Sequence, residues 1–171
     1  MIHIYIGDGK GKTTAAVGLA IRNLGCNGMI FFAQFLKSRE TGEMKVLSKL
    51  DGITFFRPFM RYKGFIFNID DNKFKEIKED IEEGFEEIKN IIFNDKFTLI
   101  VLDEILDVIE LGFLREEDVI DVFDKLPETE FVITGRKATQ AMKEKADYIT
   151  VMKKEKHPFD KGIDARKGIE Y

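Results

Sequence analysis

Eight residues near the N-terminus have the composition of a phosphate-binding loop followed by the start of a helix. They combine three glycines, two lysines, two threonines and one aspartate: Gly7, Asp8, Gly9, Lys10, Gly11, Lys12, Thr13 and Thr14. Glycines let backbone N–H groups approach phosphate oxygens, because no Cβ stands in the way. Lys12 adds a mobile positive charge, and Thr13 can offer a hydroxyl to Mg²⁺. The segment therefore predicts a nucleoside triphosphate site. The alternative is a glycine-rich turn that only connects a strand to a helix.

The spacing of this segment departs by one residue from the usual phosphate-loop consensus. That consensus would place the first glycine at position 6, where Ile6 stands, with Gly7 one residue later. The residues expected to supply the essential chemistry, Gly9, Gly11, Lys12 and Thr13, are all present. The chemistry of the motif is retained although its first position is not.

Two adjacent carboxylates, Asp103 and Glu104, follow the apolar run at residues 99–102. In phosphate-loop proteins an Asp at the end of a buried strand helps hold Mg²⁺, directly or through water. Asp103 is therefore predicted to join Thr13 in binding Mg²⁺ or Mn²⁺. Glu104 is a candidate catalytic residue that orients water or a substrate. The alternative for this pair is a helix N-terminus, where acids are favoured in the first turn.

Further polar residues follow two other predicted strands. Gln34 and Lys37 come after the second strand, and Arg136 follows the fifth. The carboxyl ends of parallel strands meet at the edge of the sheet where ligands collect, so these side chains are predicted to bind the nucleotide. The alternative for Arg136 is a surface residue that precedes a helix.

The pattern that must position these residues alternates strands with helices. Apolar runs predict six strands, at residues 2–6, 28–33, 53–56, 98–102, 131–134 and 148–152. Helical periodicity covers residues 13–24, 42–50, 71–93, 104–111 and 116–126. Such alternation predicts a three-layer α/β fold with a mainly parallel sheet.

The longest helical pattern has one apolar stripe and one acidic side. The stripe consists of Phe74, Ile77, Ile81, Phe85 and Ile88. The acids are Glu79, Asp80, Glu82, Glu83, Glu86 and Glu87, which we interpret as a solvated face.

Composition limits the class of protein. The 171 residues suit one domain, residues 1–171, and the net charge of −4 argues against general nucleic-acid binding. No apolar run is long enough to span a bilayer, and no basic leader precedes the first strand. Cys26 is the only cysteine, so no disulfide can form within the chain and a reducing, cytoplasmic setting is favoured. Cys26 itself is expected to be a buried or partly buried thiol.

Taken together, the motifs resemble the single-domain, phosphate-loop ATP:corrinoid adenosyltransferases. The resemblance spans the chain in the right order, and the segments that carry it are residues 7–16, 34–37, 102–104, 134–136, 156–159 and 168–171. It implies a P-loop NTPase fold of the RecA-like type. It also implies a homodimer and an electron-donating reductase as a partner.

The reaction implied by this resemblance needs no protein nucleophile. The Co(I) of a reduced corrinoid attacks the 5′-carbon of ATP, the adenosyl group moves to cobalt, and the triphosphate leaves whole. Lys12, the loop N–H groups and Mg²⁺ can stabilise the charge that gathers on the triphosphate. The chain shows no Ser–His–Asp set, as expected if cobalt itself attacks.

The resemblance also assigns an aromatic motif on the corrinoid side. The family uses Gly-Phe-x-aromatic, often ending in Trp, to displace the lower axial ligand of Co(II). Here the motif is matched by Gly64, Phe65, Ile66 and Phe67. Phe65 and Phe67 are therefore candidate catalytic residues, with ordinary hydrophobic packing as their alternative.

The C-terminal run of the chain is expected to be anchored to the rest of the protein by Ile169 and Tyr171.

Two other functional classes fit part of the pattern. A small-molecule kinase or NTPase would share the phosphate loop and Asp103 but would release ADP. A non-enzymatic nucleotide- or corrinoid-binding module would have less need of Lys12, Thr13 and Asp103 together.

Overall fold

A computed structural model of the chain describes residues 1–37, 40–58, 61–62 and 69–170. Its strands are β1 Ile2–Ile6, β2 Ile30–Gln34, β3 Ile53–Phe56, β4 Leu99–Asp103, β5 Glu130–Thr134 and β6 Tyr148–Val151. Its helices are α1 Lys12–Leu24, α2 Gly42–Leu47, α3 Asp71–Asn94, α4 Ile105–Glu110, α5 Glu116–Lys125 and α6 Gln140–Lys145, followed by a 3₁₀ helix at Pro158–Lys161.

The six strands form one sheet in the order β3-β2-β4-β5-β1-β6, and every neighbouring pair is parallel. The prediction of an α/β fold with a parallel sheet of about six strands is confirmed. Because β5 lies between β1 and β4, the end of β5 separates the phosphate loop from Asp103. This order gives Thr134, the last residue of β5, a central place in the site.

The core has two halves because the strands bury residues on both faces. β2 and β4 are buried at every position, as expected for central parallel strands covered by helices on each side. On one face, Phe31, Ile100 and Phe131 pack with α3, α4 and α5. On the other, Phe32 and Val101 pack with α1 and α2.

The longest helix, α3, is amphipathic as predicted, with one error on its acidic side. Its first turn is capped by the Asp70 side chain, which accepts a hydrogen bond from the Lys73 N–H at 2.9 Å. Asp80 was predicted to be solvated, but it is only 5% exposed. Its carboxylate accepts hydrogen bonds from the backbone and side chain of Arg61, each at 2.7 Å, so a segment after β3 covers this part of the helix.

Smaller differences concern short or isolated features. Helix α6 was not predicted, because its six residues bury only Met142 and show no apolar period. Cys26 was expected to be at least partly buried, yet it is exposed in the turn after α1.

Among the described helices, none has both the length and the apolar character needed to cross a membrane.

Candidate active site

The phosphate loop, residues 7–13, is held by backbone hydrogen bonds against the segments that follow β5 and β6. Gly7 N–H donates to the Arg136 carbonyl at 3.0 Å, and Gly9 N–H donates to the Met152 carbonyl at 2.7 Å. A Cβ added at Gly7 would lie 2.3 Å from that Met152 oxygen, and one at Gly9 would lie 2.6 Å from it. These glycines are needed because another stretch of backbone comes too close for a side chain.

Lys12 begins α1, and its side chain lies back across the loop. Its Nζ donates to the Gly7 carbonyl at 2.7 Å and to the Gly9 carbonyl at 2.9 Å. Burial lowers the pKa of Lys12, although the nearby Asp107 carboxylate works in the opposite direction. The first turn of α1 contains no acidic residue, so the positive end of the helix is not neutralised there.

Thr13 and Asp103, the two residues predicted to bind a metal ion, are in contact. The Thr13 hydroxyl donates to the Asp103 carboxylate, with distances of 3.0 and 3.1 Å to its two oxygens. Asp103 is fully buried. The Thr134 hydroxyl donates to Asp103 Oδ1 at 2.7 Å and accepts from the Glu104 N–H at 2.8 Å. Thr134 was not predicted as a site residue.

Glu104 and Lys37 form an ion pair beside this carboxylate. Lys37 Nζ lies 2.5 Å from Glu104 Oε1. Burial raises the pKa of Glu104, while the attraction of Lys37 opposes that rise. For Lys37, burial acts to lower the pKa, but attraction to Glu104 outweighs it and the net pKa is raised. So short a contact favours the charged form of both side chains.

Glu104 also has an unusual backbone conformation. Its φ of 66° lies in the left-handed region, which residues other than glycine seldom adopt. Strained backbone of this kind is concentrated at functional sites. Here it occurs directly after the carboxylate that meets Thr13.

Gln34 is in the predicted place but fully buried, with its amide engaged by protein groups. Its Nε2 donates to Glu43 at 3.0 Å and to Asp103 at 3.1 Å. Its Oε1 accepts from the Arg57 guanidinium. Arg57 was not predicted, although its place just after β3 obeys the same strand-end rule that identified Gln34.

The remaining predicted residues border the loop. The exposed Arg136 follows β5, and its N–H donates to Asp107 at 2.8 Å. The Asp8 carboxylate accepts from the Lys154 N–H at 3.0 Å, and this hydrogen bond lowers the Asp8 pKa. Lys10 pairs with Glu170 at 3.3 Å. Thr14 lies exposed in the first turn of α1.

The C-terminal segment, residues 156–170, is attached to the loop by Glu170 rather than by Ile169. Glu170 accepts hydrogen bonds from the Arg166 N–H at 2.8 Å and from the Arg166 guanidinium at 3.0 and 3.2 Å, besides its contact with Lys10. Ile169 is 56% exposed, so its predicted role as an anchor is wrong. Tyr171 lies outside the described residues.

Phe65 and Phe67, predicted for the corrinoid side, also lie outside the described residues. On either side of that stretch, Tyr62 and Ile69 pack against the core cluster that includes α3.

The donors near the N-terminus of α1 suit a hard divalent cation. The hydroxyl of Thr13 and the carboxylate of Asp103 are both oxygen donors. Mg²⁺ is commonly held by one or two carboxylates together with substrate phosphates rather than by an all-protein cage. The residues present therefore fit a magnesium–triphosphate complex.

Comparison with known proteins identifies one family. A family model described as ATP:corrinoid adenosyltransferase BtuR/CobO/CobP matches residues 1–171. A corrinoid adenosyltransferase of Sinorhizobium sp is 29% identical over 177 residues, covering 100% of this chain and 80% of that protein. One from Pseudomonas aeruginosa is 30% identical, covering 98% and 82%. One from Escherichia coli K12 is 28% identical, covering 100% and 85%.

Proposed function

The chain belongs to the ATP:corrinoid adenosyltransferase family, and on that premise we propose how its residues transfer an adenosyl group from ATP to a corrinoid. Co(I) of a reduced corrinoid attacks the 5′-carbon of ATP. A cobalt–carbon bond forms, the bond from that carbon to the phosphate oxygen breaks, and triphosphate leaves with the electron pair. The observation that carries the proposal is the contact of Thr13 with the buried Asp103, next to Lys12 on a glycine loop.

The phosphate loop grips the group that departs. The positive end of α1 and the loop N–H groups other than those of Gly7 and Gly9 face the triphosphate, and Lys12 exchanges its two carbonyl contacts for phosphate oxygens. Charge develops on the triphosphate as the bond breaks, so donors fixed in advance lower the barrier. Asp8, Lys10, Thr14 and Arg136 border the same loop and complete the nucleotide site.

Thr13 and Asp103 are the proposed ligands of Mg²⁺, or of Mn²⁺ in its place. When bound, the cation neutralises charge on the leaving triphosphate. Thr134 and Gln34 hold the Asp103 carboxylate in place through hydrogen bonds at 2.7 and 3.1 Å. Gln34 therefore serves the nucleotide through Asp103, because its own side chain is fully buried.

Glu104 and Lys37 act together beside this site. The contact with Lys37 holds the half-buried Glu104 in a position to orient a water molecule or the nucleotide. No general base is required, since cobalt is the nucleophile. Binding both reactants in the correct orientation can be worth roughly 7–11 kcal/mol of the barrier.

Phe65 and Phe67 are proposed to contact the corrinoid. There they displace the lower axial ligand of Co(II), and a reductase supplies the electron that makes Co(I). The basis for this assignment is the Gly-Phe-x-aromatic sequence at residues 64–67.

We further propose a homodimer that acts in the cytoplasm. The edge strand β6 supports the dimer, because Tyr148, Ile149 and Val151 are 50%, 43% and 64% exposed. Natural edge strands are usually protected by charge, proline or a covering element, and an unprotected apolar edge favours association with another chain.

The single cysteine supports the assignment to a reducing compartment.

The experiment that tests the reaction is an anaerobic assay with chemically prereduced cob(I)alamin, ATP and Mg²⁺. The proposal predicts an adenosylated, light-sensitive corrinoid and one intact triphosphate for each product molecule. The matched control is Lys12→Ala, which should form both products about 10²–10³ times more slowly. Formation of ADP without a change at cobalt would assign the chain to kinases or NTPases instead.

A further inference from the structure

Arg57 lies just after the carboxyl end of β3 and was not among the predicted site residues. Its guanidinium donates to Gln34 Oε1 and to the Thr41 hydroxyl, the latter at 3.4 Å. The side chain also lies over the Phe55 ring, with its Cζ 5.9 Å from the ring centroid. Burial lowers the pKa of Arg57, and the carboxylates of Glu43, Glu104 and Asp103 work against that shift.

The amide of Gln34 has two possible orientations, and its neighbours select one. Glu43 and Asp103 are both carboxylates, so both require the NH₂ end of the amide. Arg57 is a donor only and therefore requires the carbonyl end. A reversed amide would turn its oxygen toward two carboxylates and its NH₂ toward a guanidinium. Arg57 and the carboxylates thus fix the amide from opposite sides.

This fixed amide holds one particular oxygen of Asp103. Oδ1 accepts hydrogen bonds from Thr134 at 2.7 Å and Thr13 at 3.0 Å. Oδ2 accepts from Gln34 and Thr13, each at 3.1 Å. When the Thr13 hydroxyl turns toward a cation, the Gln34 amide still restrains Oδ2. The direction of the carboxylate then depends on Gln34, and through Gln34 on Arg57.

We propose that Arg57 is a positioning residue of the adenosyl-transfer site, which acts on the Asp103 carboxylate through the amide of Gln34. The inference rests on the proposed role of Asp103 in binding Mg²⁺. Glu43 also helps to fix the orientation of the Gln34 amide, because its Oε1 accepts a hydrogen bond from the NH₂ end. Groups that orient a metal ligand typically change metal affinity or activity by about 10–100-fold when they are lost.

The kinetic test compares Arg57→Met with the wild type. Arg57→Met should raise the Mg²⁺ concentration for half-maximal rate about tenfold, with a smaller change in kcat at saturating Mg²⁺. Arg57→Lys restores a donor and should recover part of the loss. Arg115→Met is the matched control, because Arg115 also pairs with a carboxylate, Asp118, but at an exposed helix start. It should leave the metal requirement unchanged.

Asp103→Asn separates the inference from the proposal on which it rests. One outcome is that Asp103→Asn raises the Mg²⁺ concentration needed for half-maximal rate (the metal requirement) and Arg57→Met does not. That result would refute the role of Arg57 and leave the metal site supported. If Asp103→Asn has no effect on the metal requirement, the metal assignment fails and the inference fails with it. Both variants should raise the requirement if the inference is correct.

A second readout needs neither nucleotide nor turnover. In the nucleotide-free protein, NMR should show slow solvent exchange of the Gln34 side-chain amide protons, because that side chain is fully buried and bonded to two carboxylates. Arg57→Met should speed this exchange at least tenfold, and the Arg115→Met control should not. If Arg57→Met does not fold, Glu43→Gln tests the same amide from its other side. Unchanged exchange in a folded variant would overturn the inference.

Discussion

At the scale of single residues, the buried carboxylate of Asp103 depends on every donor around it. An ionised carboxylate removed from water is costly unless hydrogen bonds replace its hydration. Three side chains do so here, Thr13, Gln34 and Thr134, at 2.7 to 3.1 Å. These side chains belong to α1, β2 and β5. The hydrogen bonds of the carboxylate therefore form only when all three elements are correctly placed.

Lys12→Ala should weaken ATP binding and lower kcat by about 10²–10³, the loss typical of removing one donor that stabilises transition-state charge. The measurement is initial rate against ATP concentration with prereduced corrinoid, together with ATP binding by calorimetry. Lys125→Ala is the control, because Lys125 is an exposed cation that pairs with Asp121 on α5. Unchanged kinetics in Lys12→Ala would refute the role of the loop lysine.

Phe65→Ala should affect the reaction that starts from Co(II) far more than the reaction supplied with Co(I). If Phe65 displaces the lower axial ligand, its loss matters only while cobalt must still be reduced. The two rates are measured side by side with the same ATP concentration. Phe93→Ala is a suitable control, because Phe93 is a 41% exposed phenylalanine on α3. Equal losses in the two assays would indicate that Phe65 is structural.

Candidate site residues can be predicted where both residue type and a strand-end position are informative, and their roles stay predictions. Thr13, Asp103, Glu104 and Lys37 were predicted and are brought together in pairs. Arg57 was missed because its partners, Gln34 and Thr41, come close to it only when β2 pairs with β3. Asp80 was misjudged because its neighbours in sequence are solvated acids, whereas the residue that covers it comes from the segment after β3.

At the scale of elements, the phosphate loop depends on the strand end beside it. Gly9→Ala should destabilise the protein, because the new Cβ would lie 2.6 Å from the Met152 carbonyl oxygen, a contact that backbone must shift to relieve. Gly18→Ala is the matched change in α1, where an added Cβ meets nothing within 4 Å. It should stabilise the protein by about 0.5–1 kcal/mol. Chemical denaturation of both variants measures the free energies of unfolding.

Opposite signs for the two substitutions would support the close approach of β6 to the loop. A Gly9→Ala variant as stable as the wild type would contradict it. ATP binding provides a second comparison, since Gly9→Ala displaces the loop N–H groups and Gly18→Ala does not.

Elements with strong periodicity were predicted nearly to the residue. The bounds of β1 and β3 are those expected, and α3 differs only by ending one residue later, at Asn94. The short helix α6 escaped because a helix of six residues buries one side chain and leaves almost no pattern. The strand order could not be read from the sequence, since alternation predicts parallel neighbours but not which strands adjoin.

At the scale of the whole molecule, the exposed apolar edge of β6 predicts association. Ile149→Lys should raise the dissociation constant of the dimer at least tenfold, which corresponds to about 1.4 kcal/mol. Sedimentation velocity over a range of protein concentrations measures this constant. Val46→Lys places the same charge on an exposed residue of α2 and should leave association unchanged. A monomeric wild type would contradict the proposed homodimer.

The carboxylate of Glu170 joins the C-terminal segment to Lys10 of the phosphate loop, and pH should control that contact. Hydrogen bonds from the Arg166 side chain and backbone lower the pKa of Glu170 from 4.5 to about 2. Because the ionised form is the one bound in the folded protein, this contribution to stability is complete above pH 4.5. It is lost as the pH falls through about 2. Between those values the C-terminal segment should progressively release Lys10 and the phosphate loop.

The ¹³C shift of the Glu170 carboxyl group, followed by NMR, measures this pKa directly. The wild type should titrate well below 4.5, and Arg166→Gln should move the midpoint back toward that ordinary value, because it removes the guanidinium donors. Lys10→Gln removes only one contact, at 3.3 Å, and should move the midpoint less. A wild-type midpoint near 4.5 would show that Glu170 does not join the C-terminal segment to the loop.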